Sequence, residues 1–106
     1  MTVTRAQVLA VLARHVGSDN GISAAALARE LQILERHVRT FVSELREEGI
    51  AVCALPQTGY FIAEGPEDVT ATCKFLRARA MHSLVLESKL SKIALPDLLG
   101  QLKLPT

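Results

Sequence analysis

Apolar residues recur at intervals of three and four near the start of the chain, which is the spacing that places them on one face of an α-helix. Thr4 and Gln7 have the spacing of a capping box, so the first helix is predicted over residues 4–16. Glycine, serine, aspartate and asparagine fill residues 17–21, and each of them favours a turn. The apolar stripe of this helix is expected to be Val8, Leu12 and Val16.

Two further helices are predicted after this turn. Ser23 is a suitable N-cap for a helix over residues 24–31. A short turn at residues 32–33 leads into a third helix over residues 34–48, which Gly49 is expected to end. At 100° per residue the third helix carries one apolar arc. The arc consists of Leu34, Val38, Phe41, Val42 and Leu45.

A β-hairpin is predicted next, because residues 50–55 are apolar and partly β-branched, residues 56–59 favour a turn, and residues 60–63 resume the apolar run. Helix, helix, turn, helix and hairpin is the element order of a winged helix-turn-helix. We therefore expect a mostly α fold with a small β-hairpin wing, occupying residues 1–64, and a C-terminal helical extension over residues 65–106.

The extension is predicted to begin with a long helix. Pro66 suits the first helical position, the two acidic residues after it suit the positive end of the helix dipole, and the helix is expected to reach about Lys92. Pro96 is expected to start a last short helix. The long helix either pairs with a second copy of the chain or folds back on its own domain, and the sequence favours a homodimer. The dimerisation stripe is predicted to be Val69, Cys73, Leu76, Ala80 and Leu84.

The stretch from Ile22 to Glu64 contains two telling motifs. They are the helix end Leu45-Arg46-Glu47-Glu48-Gly49-Ile50, and Leu55-Pro56 with Gly59-Tyr60 in the wing. With these motifs the stretch resembles the winged-helix domains found at the N-terminus of the biotin operon repressor and in related bacterial regulators. Gln32 stands where the family often has glycine in the turn, and Leu34 replaces the usual small polar N-cap. The resemblance implies sequence-specific binding of double-stranded DNA by a small bacterial or prophage transcriptional regulator.

The third helix carries polar side chains on the side opposite its apolar arc. Arginine reads guanine through two hydrogen bonds, while threonine and serine contact bases or phosphates. The alternative for each residue is that it lies on the solvated side of an amphipathic helix. The candidate DNA-binding residues are Arg36, Arg39, Thr40 and Ser43 on the helix, Arg46 at its end, and Gln57 and Thr58 in the wing.

Charge argues for a different function. Residues 1–64 carry six basic and seven acidic side chains, for a net charge of −1, whereas a DNA-binding domain usually has a basic patch. Residues 65–106 carry six basic and four acidic side chains, for a net charge of +2. The acidic balance favours the alternative that the winged helix is a protein–protein interaction module without nucleic-acid binding.

Other chemistry finds little support in the sequence. His15, His37 and His82 share no metal-ligand spacing, and Cys53 and Cys73 fall in apolar patterns typical of small core residues. We therefore expect no metal, no cofactor and no catalytic site. The two cysteines make no disulfide framework and no signal peptide is evident, so a reducing, cytoplasmic location is expected.

Overall fold

The computed structural model describes residues 2–101, with side chains described for residues 2–92. Over that range the chain forms four α-helices and one antiparallel β-hairpin, which is the mostly α winged helix-turn-helix order followed by a helical extension that the sequence predicts. The elements are α1 (Arg5–Leu12), α2 (Ala24–Leu31), α3 (Glu35–Glu47), β1 (Val52–Leu55), β2 (Gly59–Ile62) and α4 (Pro66–Gln101).

Helix α1 begins as predicted but ends early. The Thr4 hydroxyl accepts a hydrogen bond from the Gln7 amide, and the Gln7 side chain accepts one from the Thr4 amide, which completes the capping box. The helix ends at Leu12, so the prediction that it continues to Val16 is wrong. Val16 instead forms a parallel bridge with Ile62, because the backbone at the end of β2 hydrogen-bonds to this part of the chain.

Strand β2 is bonded along both edges. On one edge it pairs with β1, with Cys53 opposite Phe61. On the other edge the amide and carbonyl of Tyr60 form two hydrogen bonds with the backbone of Ile22, at 2.7 and 2.8 Å. Two further hydrogen bonds join Ile62, at the end of β2, to the α1–α2 linker: the Gly17 amide donates to the Ile62 carbonyl, and the Ile62 amide donates to the His15 carbonyl. The linker therefore acts as a third, irregular strand that fixes the hairpin to the helices.

The core lies where α1, α2 and α3 meet the inner side of the hairpin. This core is aliphatic, as the shortage of aromatic residues requires. The buried cluster consists of Val8, Leu12, Leu27, Ala28, Val38, Val42, Leu45 and Val52. Phe61 from β2 is the largest fully buried side chain, but it pairs with Cys53 and lies outside this cluster, because side chains alternate along a strand and both residues are on the hairpin face opposite to Val52.

Helix α4 is a single helix from Pro66 to Gln101, so the prediction that one helix stops near Lys92 and another starts at Pro96 is wrong. Proline lacks the amide hydrogen that would bond four residues back, and here the helix continues through it without that bond. Side chains beyond residue 92, including Leu98, Leu99 and Leu102 of the predicted short helix, lie outside the described part. No helix in the described part combines the length and apolar character that a bilayer crossing requires.

The first compact unit of the chain runs to Cys73, and a second begins at Lys74. The start of α4 belongs to the first unit, because it packs with the hairpin. Thr72 is buried there, and its hydroxyl accepts a hydrogen bond from the Ala54 amide. Cys53 is buried as expected, but the prediction of a core position for Cys73 is wrong, since its side chain is exposed.

Candidate nucleic-acid interface

The turn between α2 and α3 sets the direction in which α3 leaves the core. Gln32 adopts the left-handed conformation, with φ 56° and ψ 47°, and Ile33 donates its amide to Ala28 at 3.0 Å. This is the conformation that glycine adopts without strain, which explains why the turn commonly contains glycine. The chain keeps the turn geometry with a glutamine, at a conformational cost.

Helix α3 has one buried face and one free face. Val38, Val42 and Leu45 are buried in the core. Leu34 is the N-cap residue and makes no side-chain capping bond, while the carboxylate of Glu35 lies in the first turn, at the positive end of the helix dipole. The apolar face therefore anchors the helix through packing rather than through a side-chain cap.

The predicted contact residues of α3 share the free face. Arg36, Arg39, Thr40 and Ser43 are all exposed. The Thr40 hydroxyl donates to the carbonyl of Arg36 at 3.1 Å, so its rotamer is held by the helix itself. An Arg39 amino group lies 3.8 Å from a Glu35 carboxylate oxygen, a loose pair that water can replace. Two guanidinium groups are thus available along this face.

Arg46 occupies a different environment. Its Nε donates to the carbonyl of Val52 at 2.8 Å, and the side chain is half-buried between the end of α3 and the start of β1. Sequence reasoning placed Arg46 among the residues that reach the DNA backbone. In the structure Arg46 makes a contact within the chain, because its Nε holds the start of β1 against the end of α3.

The tip of the wing is short and fixed in place. Thr58 is half-buried, and its hydroxyl lies within hydrogen-bond distance of the carbonyls of Leu55 and Gly59, whereas Gln57 is exposed. Gly59 has φ +80°, and a β-carbon built there would lie 2.5 Å from the carbonyl oxygen of Ile22. Of the two predicted wing contacts, Gln57 therefore has its amide free to meet a ligand, and Thr58 serves the turn.

Ion pairs reduce the acidic character beside α3. Arg5 of α1 lies against Glu48, and its Nε is 3.8 Å from Glu44. Arg14 pairs with Glu30 on the other side of the helical core. These exposed pairs contribute little to stability, but they bring positive groups close to the carboxylates that would otherwise repel a phosphate backbone. Over residues 1–73 the balance is still acidic, with nine acidic and six basic side chains and no lysine.

A groove next to α3 was not predicted from the sequence. It has a volume of about 330 Å³ and is open to solvent. Its lining includes Phe41, which the sequence assigned to the apolar arc, and His37, for which the sequence showed no metal-ligand spacing. The signal that was available is Val3, an apolar residue just ahead of the capping box, which is half-buried against the core. The lining residues are Thr2, Val3, Ile33, His37, Thr40, Phe41 and Glu44.

The structure therefore brings Arg36, Arg39, Thr40 and Ser43 together on one helix face, and it places Gln57 on a separate element. Such a face can donate hydrogen bonds and positive charge to a polyanion. No group of three His, Cys, Asp or Glu side chains within the described residues is arranged to hold a metal ion. No protein-family model, no curated protein and no solved structure matches this chain.

Proposed function

We propose that this chain binds double-stranded DNA sequence-specifically, as a small bacterial or prophage transcriptional regulator that acts in the cytoplasm as a homodimer. The observation that carries the proposal is the free face of α3, which presents Arg36 and Arg39 to solvent while the opposite face is anchored in the core. A helix held in this way is the element that winged helix-turn-helix proteins place in the major groove.

The dimensions and chemistry of α3 suit that groove. Its 13 residues span about 20 Å, and a B-DNA major groove is about 12 Å wide. Arg36 and Arg39 each offer the forked donors that match the two acceptors of guanine. Thr40 and Ser43 supply shorter hydroxyl groups for bases or phosphates, and Gln57 extends the contact to the backbone from the wing.

Homodimerisation is supported by the exposed apolar side chains of α4. Leu76, Leu84 and Leu90 expose 42, 59 and 64% of their surface. A single helix in water gains little stability from propensity alone, and most helical stability in proteins comes from burying an apolar face. Pairing α4 with the α4 of a second copy buries this face and gives the assembly two copies of α3, which suits a two-fold-related DNA site.

DNA binding is tested by electrophoretic mobility shift on fragments of the source genome, with Arg36→Ala and Arg39→Ala as the test variants. Each lost base contact costs about 1–3 kcal/mol, so the affinity for a specific fragment should fall by about tenfold or more in each variant. Arg14→Ala is the matched control, because it removes the same charge from the α1 side, where Arg14 pairs with Glu30.

Two outcomes would contradict the proposal. One is specific binding that both α3 variants leave intact. The other is an affinity that does not fall as the salt concentration rises, since contacts to phosphates release counterions and make binding salt-dependent.

A second candidate function is a protein–protein interaction module. The acidic balance of residues 1–73 favours it, because a net charge of −3 repels DNA at long range. The groove beside Phe41 gives such a module a partly apolar contact surface. This function predicts no DNA affinity even at low salt, together with loss of partner binding in Phe41→Ala and retention of partner binding in Arg36→Ala.

A further inference from the structure

The stripe on α4 contains one acidic side chain among apolar ones. At 100° per residue, Glu87 projects along the same line as Val69 and close to that of Leu76. Its carboxylate accepts a hydrogen bond from the Ser91 hydroxyl at 3.1 Å, and no salt bridge to it is present among the described side chains. A carboxylate inside an apolar contact needs a partner of opposite charge, because an unpaired buried charge is costly.

Residues 74–92 are otherwise basic, with five arginines and lysines and Glu87 as the one acid. Arg77 lies at the border of the apolar stripe, and Phe75 and Arg79 form a cation–π pair with the ring centroid 5.8 Å from the guanidinium carbon. Arg79 is thereby held on a different side of the helix from the stripe. Arg77 is consequently the cation best placed to reach an acid in the contact between two such helices.

The direction of pairing decides which charges meet. A parallel, in-register pair sets each Glu87 against the partner's Glu87 and each Arg77 against the partner's Arg77, so both contacts are repulsive. Arg77 and Glu87 lie five residues before and five after His82. In an antiparallel pair whose two-fold axis is level with His82 along the helix, Arg77 of each copy is therefore level with the partner's Glu87. The symmetry repeats this contact between opposite charges, so it occurs twice.

We propose that residues 74–92 pair antiparallel with the same segment of a second copy, about a two-fold axis at His82, with Arg77 of each copy opposite the partner's Glu87. The proposal rests on the homodimer of the proposed function and defines its arrangement. The same symmetry sets Ala80 opposite the partner's Leu84, a small residue against a large one, which lets the two helices interdigitate.

Disulfide cross-linking distinguishes the two directions. The symmetry places Cys73 opposite the partner's Ser91, while the two Cys73 residues lie about 27 Å apart along the helix axis. A disulfide requires α-carbons within about 7 Å. Under mild oxidation with copper phenanthroline, Ser91→Cys should form a covalent dimer and the wild-type chain should not. A covalent wild-type dimer through Cys73 would overturn the antiparallel arrangement.

Charge reversal provides an independent measurement that does not involve cysteine. Arg77→Glu should weaken the dimer by about tenfold or more in sedimentation equilibrium, because the partner's Glu87 then meets a like charge. The double variant Arg77→Glu/Glu87→Arg should restore dimerisation. Failure of the double variant to recover would overturn the proposal.

Sedimentation of the wild-type chain without DNA separates this inference from the proposed function. A monomer at micromolar concentration would contradict the homodimer and its arrangement together, whereas the mobility-shift variants of α3 report on DNA binding alone. A dimer that cross-links through Cys73 would contradict only the arrangement.

Discussion

The hydroxyl of Thr72 accepts a hydrogen bond from the backbone amide of Ala54 at 3.3 Å, and this bond joins the start of α4 to the outer edge of the hairpin. Ala54 faces Tyr60 in the strand register, and its amide points away from β2, so the Thr72 hydroxyl supplies an acceptor that the sheet does not provide. Thr72 is also the one buried polar side chain among the described residues.

Thr72→Val should therefore lower the free energy of unfolding. The substitution keeps the shape of the side chain but leaves the Ala54 amide without an acceptor, which costs about 1–3 kcal/mol. Urea denaturation followed by circular dichroism measures the change. Thr72→Ser keeps the hydroxyl and should lose clearly less, so equal losses in the two variants would show that the hydrogen bond is not the cause.

Gly49 and Gly59 provide a matched test of close backbone packing. Both have positive φ, of +91° and +80°, but a β-carbon at Gly49 meets nothing within 4 Å, whereas one at Gly59 lies 2.5 Å from the Ile22 carbonyl. Gly49→Ala should cost about 1–2 kcal/mol from the left-handed conformation alone. Gly59→Ala should cost clearly more in the same denaturation experiment, because the linker must also move away from the wing.

Gln32→Gly should stabilise the protein. Gln32 holds a left-handed conformation that costs a side-chain-bearing residue about 1–2 kcal/mol, and glycine removes this cost. Part of the stabilisation is offset, because glycine has greater conformational freedom in the unfolded chain. A net gain of about 0.5–1 kcal/mol is expected. Gln32→Ala keeps the strain and is the control. A glycine variant no more stable than the alanine variant would contradict this explanation of the turn.

Arg46 and Arg36 should differ in what their loss affects. Arg46→Met removes the bond from Nε to the Val52 carbonyl and should cost about 1 kcal/mol of stability, since the side chain is half-buried. Arg36→Met removes an exposed side chain and should change stability by less than about 0.5 kcal/mol. Thermal unfolding of both variants, alongside their DNA affinity, separates an anchoring residue from a contact residue.

Local sequence signals predicted much of the fold. Thr4 and Ser23 cap the helices that they were expected to cap, and Gly49 follows the end of α3 in a left-handed conformation. Each of these is decided by a few neighbouring residues. The periodicity of Val38, Val42 and Leu45 likewise identified the buried face of α3, and with it the free face on which the candidate contacts lie.

The differences between expectation and structure have separate physical causes, and one of them is a contact between residues far apart in sequence. Val16 fits the stripe of α1, but its backbone region pairs with Ile62, which lies far away in sequence. The hydrogen bond from Arg46 to the carbonyl of Val52, six residues later, has no signal in the sequence, and the assignment of Arg46 as a DNA contact stays a prediction. The proline at position 96 suggested a helix start, yet propensity alone could not show that α4 continues through it.

The bonding of β2 on both edges has a consequence for recognition. A wing tied through Tyr60 to Ile22, with Gly59 packed against the linker backbone, has little freedom to hinge or to order itself on contact. A ligand that binds this surface therefore meets a main chain that is already ordered. The conformational entropy lost on binding comes from long side chains such as Arg36 and Gln57. Selectivity must then come from how well a target fits a rigid shape, because the backbone does not remodel to suit a poor one.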